Sequence, residues 1–301
     1  MGQGGQDRRG EAGMKVAFLG LGTMGYLMAA RLAAAGVEVT VFNRTASTAA
    51  RWCQEHGGRH ASTPAQAVAG ASRVLACVSD DQAVRDLVQG DQGAFAGMPR
   101  GAIFIDHSTG SATLARQLAA QAQALGLGFL DAPVTGGKPG AAKGTLTTMV
   151  GGDAATLESV RDTLAHYASN IFHVGPSGAG QITKIANQIC IGGILESLAE
   201  ALGLAQHSGL DPARVLEVLQ SGSARSWQME QRGALMVAGR YDFGFSVRWL
   251  AKDLGIGLDQ AQASALQLPA TQVAAKALQT LIEAGFGAED VAALARQYRP
   301  N

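Results

Sequence analysis

Within "GAGQITKIANQ", the polar residues Lys184, Asn187 and Gln188 stand at i, i+3 and i+4. A helix with that spacing projects all three side chains from one face. An ammonium held there donates a proton to an oxygen on which negative charge is building, and stabilises that charge electrostatically. The neighbouring amides would orient the reacting group. The competing reading is a solvated helix face whose lysine does no chemistry.

Near the start, "KVAFLGLGTMG" (residues 15–25) raises a second chemistry. Gly20, Gly22 and Gly25 make GxGxxG between an apolar strand-like run and an Ala- and Leu-rich one, the context this motif requires. Gly20 would allow the tight turn, Gly22 the approach of backbone to a pyrophosphate, and Gly25 the close packing of helix on strand. Leu21, Thr23 and Met24 complete the loop. An ordinary αβ turn is the alternative. At the end of the next strand-like run, where an NAD enzyme places an acid on the ribose hydroxyl, stand Asn43, Arg44 and Thr45. They contain no carboxylate to repel a 2′-phosphate, and a guanidinium, an amide and a hydroxyl to receive it. NADP is therefore expected in preference to NAD, unless Arg44 is only a solvated loop arginine.

Two further run ends carry polar groups. In "DAPVTGG", Thr135, Gly136 and Gly137 offer a hydroxyl and two unencumbered N–H groups, a turn that can hold a carboxylate or serve only as a glycine turn. In "IDHST", Asp106, Ser108 and Thr109 sit at a strand end, where doubly wound sheets keep ligands. Alternatively these residues cap the helix that follows. No metal is expected: of the six histidines only His56 and His60 stand four apart, with two glycines between them, and His107 and His173 read as structural.

The elements that must position these groups follow from composition and rhythm. A chain of 301 residues with 47% hydrophobic and 16% charged residues is globular and commonly divides in two. Over residues 15–174, "KVAFLG", "EVTVFN", "RVLACV", "AIFID", "GFLDAPV" and "LTTMVGG" alternate with Ala- and Leu-rich stretches, the pattern of βαβ units. Gly36 is placed to end the first helix. Residues 181–208 read as one long helix without an internal proline. The remainder reads as helical, with Asp211 as an N-cap before Pro212.

The expected fold class is α/β, with a mostly parallel N-terminal Rossmann domain over residues 14–176, a long interdomain helix and an all-α domain within 177–301. Residues 1–13 lack an apolar core, so they read as a disordered tail and not a secretory signal. Lys and Arg (24) balance Asp and Glu (24), so no global field favours nucleic acid or an anionic membrane, and a small-molecule partner is expected. The apolar run 185–205 carries Asn187, Gln188, Glu196 and Glu200, which argues against a membrane span. Cys53, Cys77 and Cys190 form no CxxC pair, which suits a reducing cytoplasm.

Five stretches in order, "FLGLGTMG", "DHST", "DAPVTGGKPGAAKGTLTTMVGG", "GAGQITKIANQ" and "KDL" at residues 252–254, resemble the β-hydroxyacid dehydrogenase family over nearly residues 14–298. The resemblance implies a Rossmann domain joined by a long helix to a helical domain like that of 6-phosphogluconate dehydrogenase, in a homodimer or homotetramer. It implies reversible hydride transfer between NADPH and a short acid semialdehyde, as in 3-hydroxyisobutyrate dehydrogenases. Lys184 would be the general acid and base, with Asn187 beside it. Ser108, Thr135, Gly136, Gly137 and Gln188 would bind the small-molecule carboxylate substrate. Val78, Thr109 and Lys252 would join the glycine loop and residues 43–45 in binding cofactor, with a surface salt bridge as the alternative for Lys252.

Departures from the family pattern occur at two of these positions. Thr135 replaces the usual serine, so an added methyl narrows the pocket, and Gln188 resembles the tartronate semialdehyde reductase pattern where many members carry Asn. Trp227, in "SARSWQME", sits where substrate subclasses vary, or is a core tryptophan. The rival functions are an imine reductase, which commonly has Asp or Tyr in place of Lys184, and a non-catalytic nucleotide-binding regulatory protein.

Overall fold

The computed structural model describes residues 14–299, so the expected tail at residues 1–13 lies outside the described residues. The described residues form two compact units, one up to Lys184 and one from Ile185 on.

The first unit is built on nine strands: β1 Lys15–Leu19, β2 Glu38–Phe42, β3 Arg59–His60, β4 Arg73–Ala76, β5 Ile103–Asp106, β6 Gly128–Asp131, β7 Val134–Thr135, β8 Leu146–Gly152 and β9 Ala168–Gly175. Their order is β3-β2-β1-β4-β5-β6-β8-β7, with β9 also paired to β8. From β3 to β6 every pairing is parallel, whereas β8 runs antiparallel to both β6 and β7. This is a Rossmann sheet extended by a mixed edge.

Alternation along the inner strands explains why both faces are covered. On β1, Val16 and Phe18 pack on one face with Met28, Leu32 and Trp52, while Ala17 and Leu19 pack on the other with Leu114 and Leu118. Strands buried on both faces read as continuous apolar runs, as "VAFL" does. The first helix, Thr23–Ala34, ends as expected before Gly36, which takes φ +85°.

Two strands escaped the sequence reading. β3 is two exposed polar residues, and β9 exposes Ser169, Asn170 and Phe172, so neither carries an apolar alternation. The run "GFLDAPV" is also two strands, β6 and β7, interrupted at Ala132 and Pro133. Proline has no N–H for a ladder, and the Pro133 carbonyl instead accepts from the Met149 N–H at 3.0 Å.

The helix Ala179–His207 replaces the expected 181–208. By length and composition it is apolar enough to cross a bilayer, but half of its most apolar window is buried within the protein. Its Leu195, Leu198, Ala199 and Leu202 enter the core of the second unit together with Met236, Leu250, Leu254, Leu278 and Val291. Asp211 caps the helix Pro212–Ser221 by accepting from the Ala213 N–H, with Pro212 in the first turn. Helices Trp227–Ala238, Val247–Ala263 and Pro269–Glu283 and the 3₁₀ helix Val291–Tyr298 complete the second unit.

Candidate active site

The carboxyl ends of four parallel strands stand in register, with Leu19 beside Ala76, Ala76 beside Asp106, and Asp106 beside Asp131. Chain order reverses between β1 and β4, and an open α/β sheet binds its ligands in the crevice outside that point. Gly20 occupies it at φ +94°, where a Cβ would lie 2.4 Å from the Cys77 carbonyl oxygen and 2.7 Å from Val78 Cγ1. At Gly25 a Cβ would lie 2.1 Å from the Gly20 carbonyl oxygen. The fold itself requires both glycines.

Gly22 is different. Its φ is −70°, it is exposed, and a Cβ there would meet nothing within 4 Å. It precedes the helix Thr23–Ala34, whose start has neither a side-chain cap nor an acid in its first turn. The first N–H groups of a helix lack intrahelical acceptors and carry the positive end of its dipole. The Leu21 N–H is held by Asn43 Oδ1 at 2.9 Å, and Asn43 Nδ2 donates to the Thr45 carbonyl at 3.1 Å. Asn43 therefore fastens the glycine loop to the β2 turn. Arg44 and Thr45 remain exposed at the start of the helix Ala46–His56, which also lacks a side-chain cap.

The residues of "IDHST" do not cap the following helix. Ser111 does so, accepting from the Leu114 N–H at 3.1 Å at the start of Ala112–Ala124. Asp106 Oδ1 accepts the Ser108 N–H at 2.9 Å, and Ser108 Oγ accepts the Val78 N–H at 2.9 Å, which joins the β5 and β4 loops. Thr109 follows, half-buried. Burial pushes the Asp106 carboxyl up to about 7, with Asp131 adding to the rise and the Ser108 bonds opposing it. His107 is structural, its ring between the Ala132 carbonyl at 2.6 Å and the Tyr167 hydroxyl at 2.8 Å, and burial lowers its pKa to about 4.

Asp131 was not singled out in the sequence. Its carboxylate caps the long helix, taking the Gly178 N–H at 2.7 Å on Oδ1 and the Gln181 N–H at 3.0 Å on Oδ2. Burial raises its pKa, and these backbone bonds pull against the rise. The glycine of "GAGQ" is needed here, because a Cβ on Gly180 would lie 2.5 Å from the carbonyl oxygens of Asp131 and Met149. The Gln181 side chain donates to the Ser108 carbonyl at 2.8 Å and accepts from the Gly110 N–H at 3.0 Å.

Lys184, one turn further along, is 8% exposed, so it does not lie on a solvated face. Beyond it, Asn187 Nδ2 donates to Gln188 Oε1 at 2.8 Å, and Gln188 Nε2 donates to Asp253 Oδ2 at 2.6 Å. The Lys252 ammonium lies 3.1 Å from Asp253 Oδ1 with 22% of its side chain exposed. Asp253, inside the quoted "KDL", thus joins Asn187, Gln188 and Lys252 into one chain of polar contacts. Its sequence neighbours carry no signal of that role.

Thr135, Gly136 and Gly137 form a separate corner at the end of β7. β8 connects them to the rest, pairing Thr147 with Thr135 and Gly151 with Asp131. Gly136 takes φ +121° and Gly137 φ +61°, so glycine is required by the backbone of this turn. Trp227 is 46% exposed at the first position of Trp227–Ala238, which removes the core-tryptophan reading.

Two family descriptions match the chain. Residues 15–175 match the NAD binding domain of 6-phosphogluconate dehydrogenase, and residues 178–298 match the NAD-binding domain of NADP-dependent 3-hydroxyisobutyrate dehydrogenase. The chain is 40% identical over 261 residues to a 3-hydroxyisobutyrate dehydrogenase of Pseudomonas aeruginosa, covering 84% of this chain and 87% of that one. It is 36% identical over 293 residues to an NAD-dependent L-serine dehydrogenase of the same organism, covering 95% and 98%. The solved 3-hydroxyisobutyrate dehydrogenase of Mycobacterium tuberculosis with L-serine superposes with a TM-score of 0.86 at 32% identity, covering 95% of this chain and 99% of that one.

Proposed function

This chain belongs to the β-hydroxyacid dehydrogenase family and is an oxidoreductase with a nicotinamide cofactor, and on that premise we propose reversible hydride transfer between NADPH and a short acid semialdehyde. Lys184 is the general acid and base of this reading.

The observation that carries it is Gly22. Packing asks for glycine at positions 20 and 25, but nothing inside the protein asks for it at position 22. A Cβ there would project into the open space before an uncapped helix start. Close approach of a pyrophosphate to that backbone supplies the missing reason. The loop from Gly20 to Gly25 fits such a group, including the N–H groups of Thr23 and Met24 in the first turn. Arg44 and Thr45, exposed and without a neighbouring acid in the first turn of Ala46–His56, fit a 2′-phosphate.

When bound, the reduced nicotinamide supplies the hydride. Lys184 donates a proton from Nζ to the substrate oxygen as negative charge develops there, and in the oxidative direction its neutral amine takes that proton back. Asn187 orients the reacting oxygen. Both amide ends of Gln188 are engaged, so it holds Asn187 in place as well as facing substrate. Thr135, Gly136 and Gly137 grip the acid group with Ser108 near the substrate, Val78 and Thr109 line the nicotinamide end, and Lys252 contacts cofactor. The relatives named for 3-hydroxyisobutyrate and L-serine support a grip on an acid group that sits near a hydroxyl.

The test is kcat/KM with NADPH and with NADH for a panel of short acid semialdehydes, β-hydroxy acids, an aldehyde lacking the acid group, and a cyclic imine. Acid semialdehydes with NADPH are expected to lead. Equal kcat/KM for the aldehyde without an acid group would remove the carboxylate grip. A lead for the cyclic imine would replace the reading altogether.

A further inference from the structure

We propose that Gln181 is a positioning residue that sets Lys184 against the loop carrying Ser108 and Thr109; this rests on the reading of Lys184 as general acid. The geometry comes from three elements. Gln181 is buried, and its terminal amide grips the loop after β5 at two points, donating to the Ser108 carbonyl at 2.8 Å and accepting from the Gly110 N–H at 3.0 Å. The two bonds bracket Thr109. Because donor and acceptor lie in one plane, the amide cannot rotate without losing both.

The other end of the bracket is equally held. The Gln181 N–H is bound by Asp131 Oδ2 at 3.0 Å and Gly178 by Oδ1 at 2.7 Å, so β6 fastens the helix's first turn. Ser108 Oγ takes the Val78 N–H at 2.9 Å, so β4 fastens the loop. Lys184 follows at i+3, one turn along the same helix. Gln181 thus stands between the expected proton donor and the expected nicotinamide contact. An amide, or a protonated carboxyl, on a side chain of this length offers the required donor and acceptor on one planar head.

The experiment compares Gln181→Met and Gln181→Glu with the wild-type full chain, reading NADPH Kd, kcat and KM separately, and kcat across pH. Gln181→Met should lower kcat about 10- to 100-fold, the scale of an ångström-sized misplacement, with NADPH Kd changed less than about threefold. Gln181→Glu reproduces the bracket only when protonated, so its kcat relative to wild type should rise as pH falls. The charged groups around that position are Asp131 on β6, Asp106 on β5, Asp81 and Arg116 beside the loop and its helix, and Lys184 on the same helix. Burial among carboxyls favours the protonated form.

Wild-type kcat in Gln181→Met overturns the inference. So does a Gln181→Glu profile parallel to wild type, the result of a structural role that lowers only Tm. If Gln181→Met does not fold, the Gln181→Glu profile decides alone. Lys184→Ala separates the two levels: retained kcat there removes the general-acid reading and this inference with it. Lost kcat there together with wild-type kcat in Gln181→Met removes only the inference.

Discussion

Lys184, the proposed general acid, is buried on a helix whose first turn is tied to the sheet by Asp131. General acid catalysis contributes typically about 10² to 10⁴ in rate. Lys184→Ala is expected to lose that much kcat while NADPH titration shows nearly unchanged binding, because the glycine loop and Arg44 are untouched. Because the oxidative direction needs the neutral amine, alcohol oxidation should rise toward alkaline pH, measured as initial rates in both directions. At Arg44, losing a charge-assisted hydrogen bond costs ~1.5–3 kcal/mol. Arg44→Ala should therefore weaken NADPH roughly ten- to 150-fold with little effect on NADH. Equal losses for both cofactors would count against the 2′-phosphate role. Asp106 and His107 pull stability in opposite directions with pH. The Asp106 carboxyl, raised to about 7, binds its proton more tightly in the folded state, so its contribution falls as pH rises from about 4 to about 7. His107, lowered to about 4, stays neutral when folded, so its contribution falls as pH drops below about 6.5. Asp106→Asn keeps the acceptor for the Ser108 N–H. Urea unfolding should show the Asn variant gaining on wild type with rising pH, by at most ~1.4 kcal/mol per pH unit.

The glycine loop separates two requirements within one element. An alanine at Gly22 meets open space at an ordinary φ of −70°, so stability should stay within about 1 kcal/mol. NADPH binding by Gly22→Ala should nevertheless weaken tenfold or more, a loss of about 1.4 kcal/mol. Gly25→Ala would put its Cβ 2.1 Å from the Gly20 carbonyl oxygen, forcing helix from strand. It should lose ~1–3 kcal/mol of stability as well as binding. Chemical denaturation and cofactor titration on the two variants separate fold from ligand. Unchanged NADPH affinity in Gly22→Ala would leave that glycine without a function. The helix after β5 follows another local rule, since Ser111, immediately before it, caps it and frees the "DHST" residues for the loop.

Each unit of the molecule has its own core, and the second depends on a buried ion pair. Arg232 Nε and Nη2 donate to Asp290 at 2.9 and 3.2 Å, and Asp290 also accepts the N–H groups of Gly244, Phe245 and Ala292. One carboxylate thereby holds the 239–246 loop to the 3₁₀ helix. Removing one partner of a buried pair leaves the other charged and uncompensated, at about 3–5 kcal/mol. Asp290→Ala should lose about that much unfolding free energy in a denaturant titration. A loss below about 1 kcal/mol would show the guanidinium finding water instead.

The amino-acid sequence by itself determined the features whose causes are local. Strands buried on both faces appear as apolar runs, the first helix stops at Gly36, Asp211 and Pro212 open a later helix, and Lys184, Asn187 and Gln188 share a face through spacing of three and four. β3 and β9 were lost because exposed edge strands carry no such alternation. Tertiary structure alone decided which element ends meet. Asp131 finds Gly178 and Gln181 at separations of 47 and 50 residues, Gln188 finds Asp253 at 65, and Gln181 finds Ser108 at 73. A buried carboxylate or amide must be given partners, but periodicity along the chain does not say which ones. That choice falls to the order and register of the strands, which bring Asp106 and Asp131 side by side at the edge where the long helix begins.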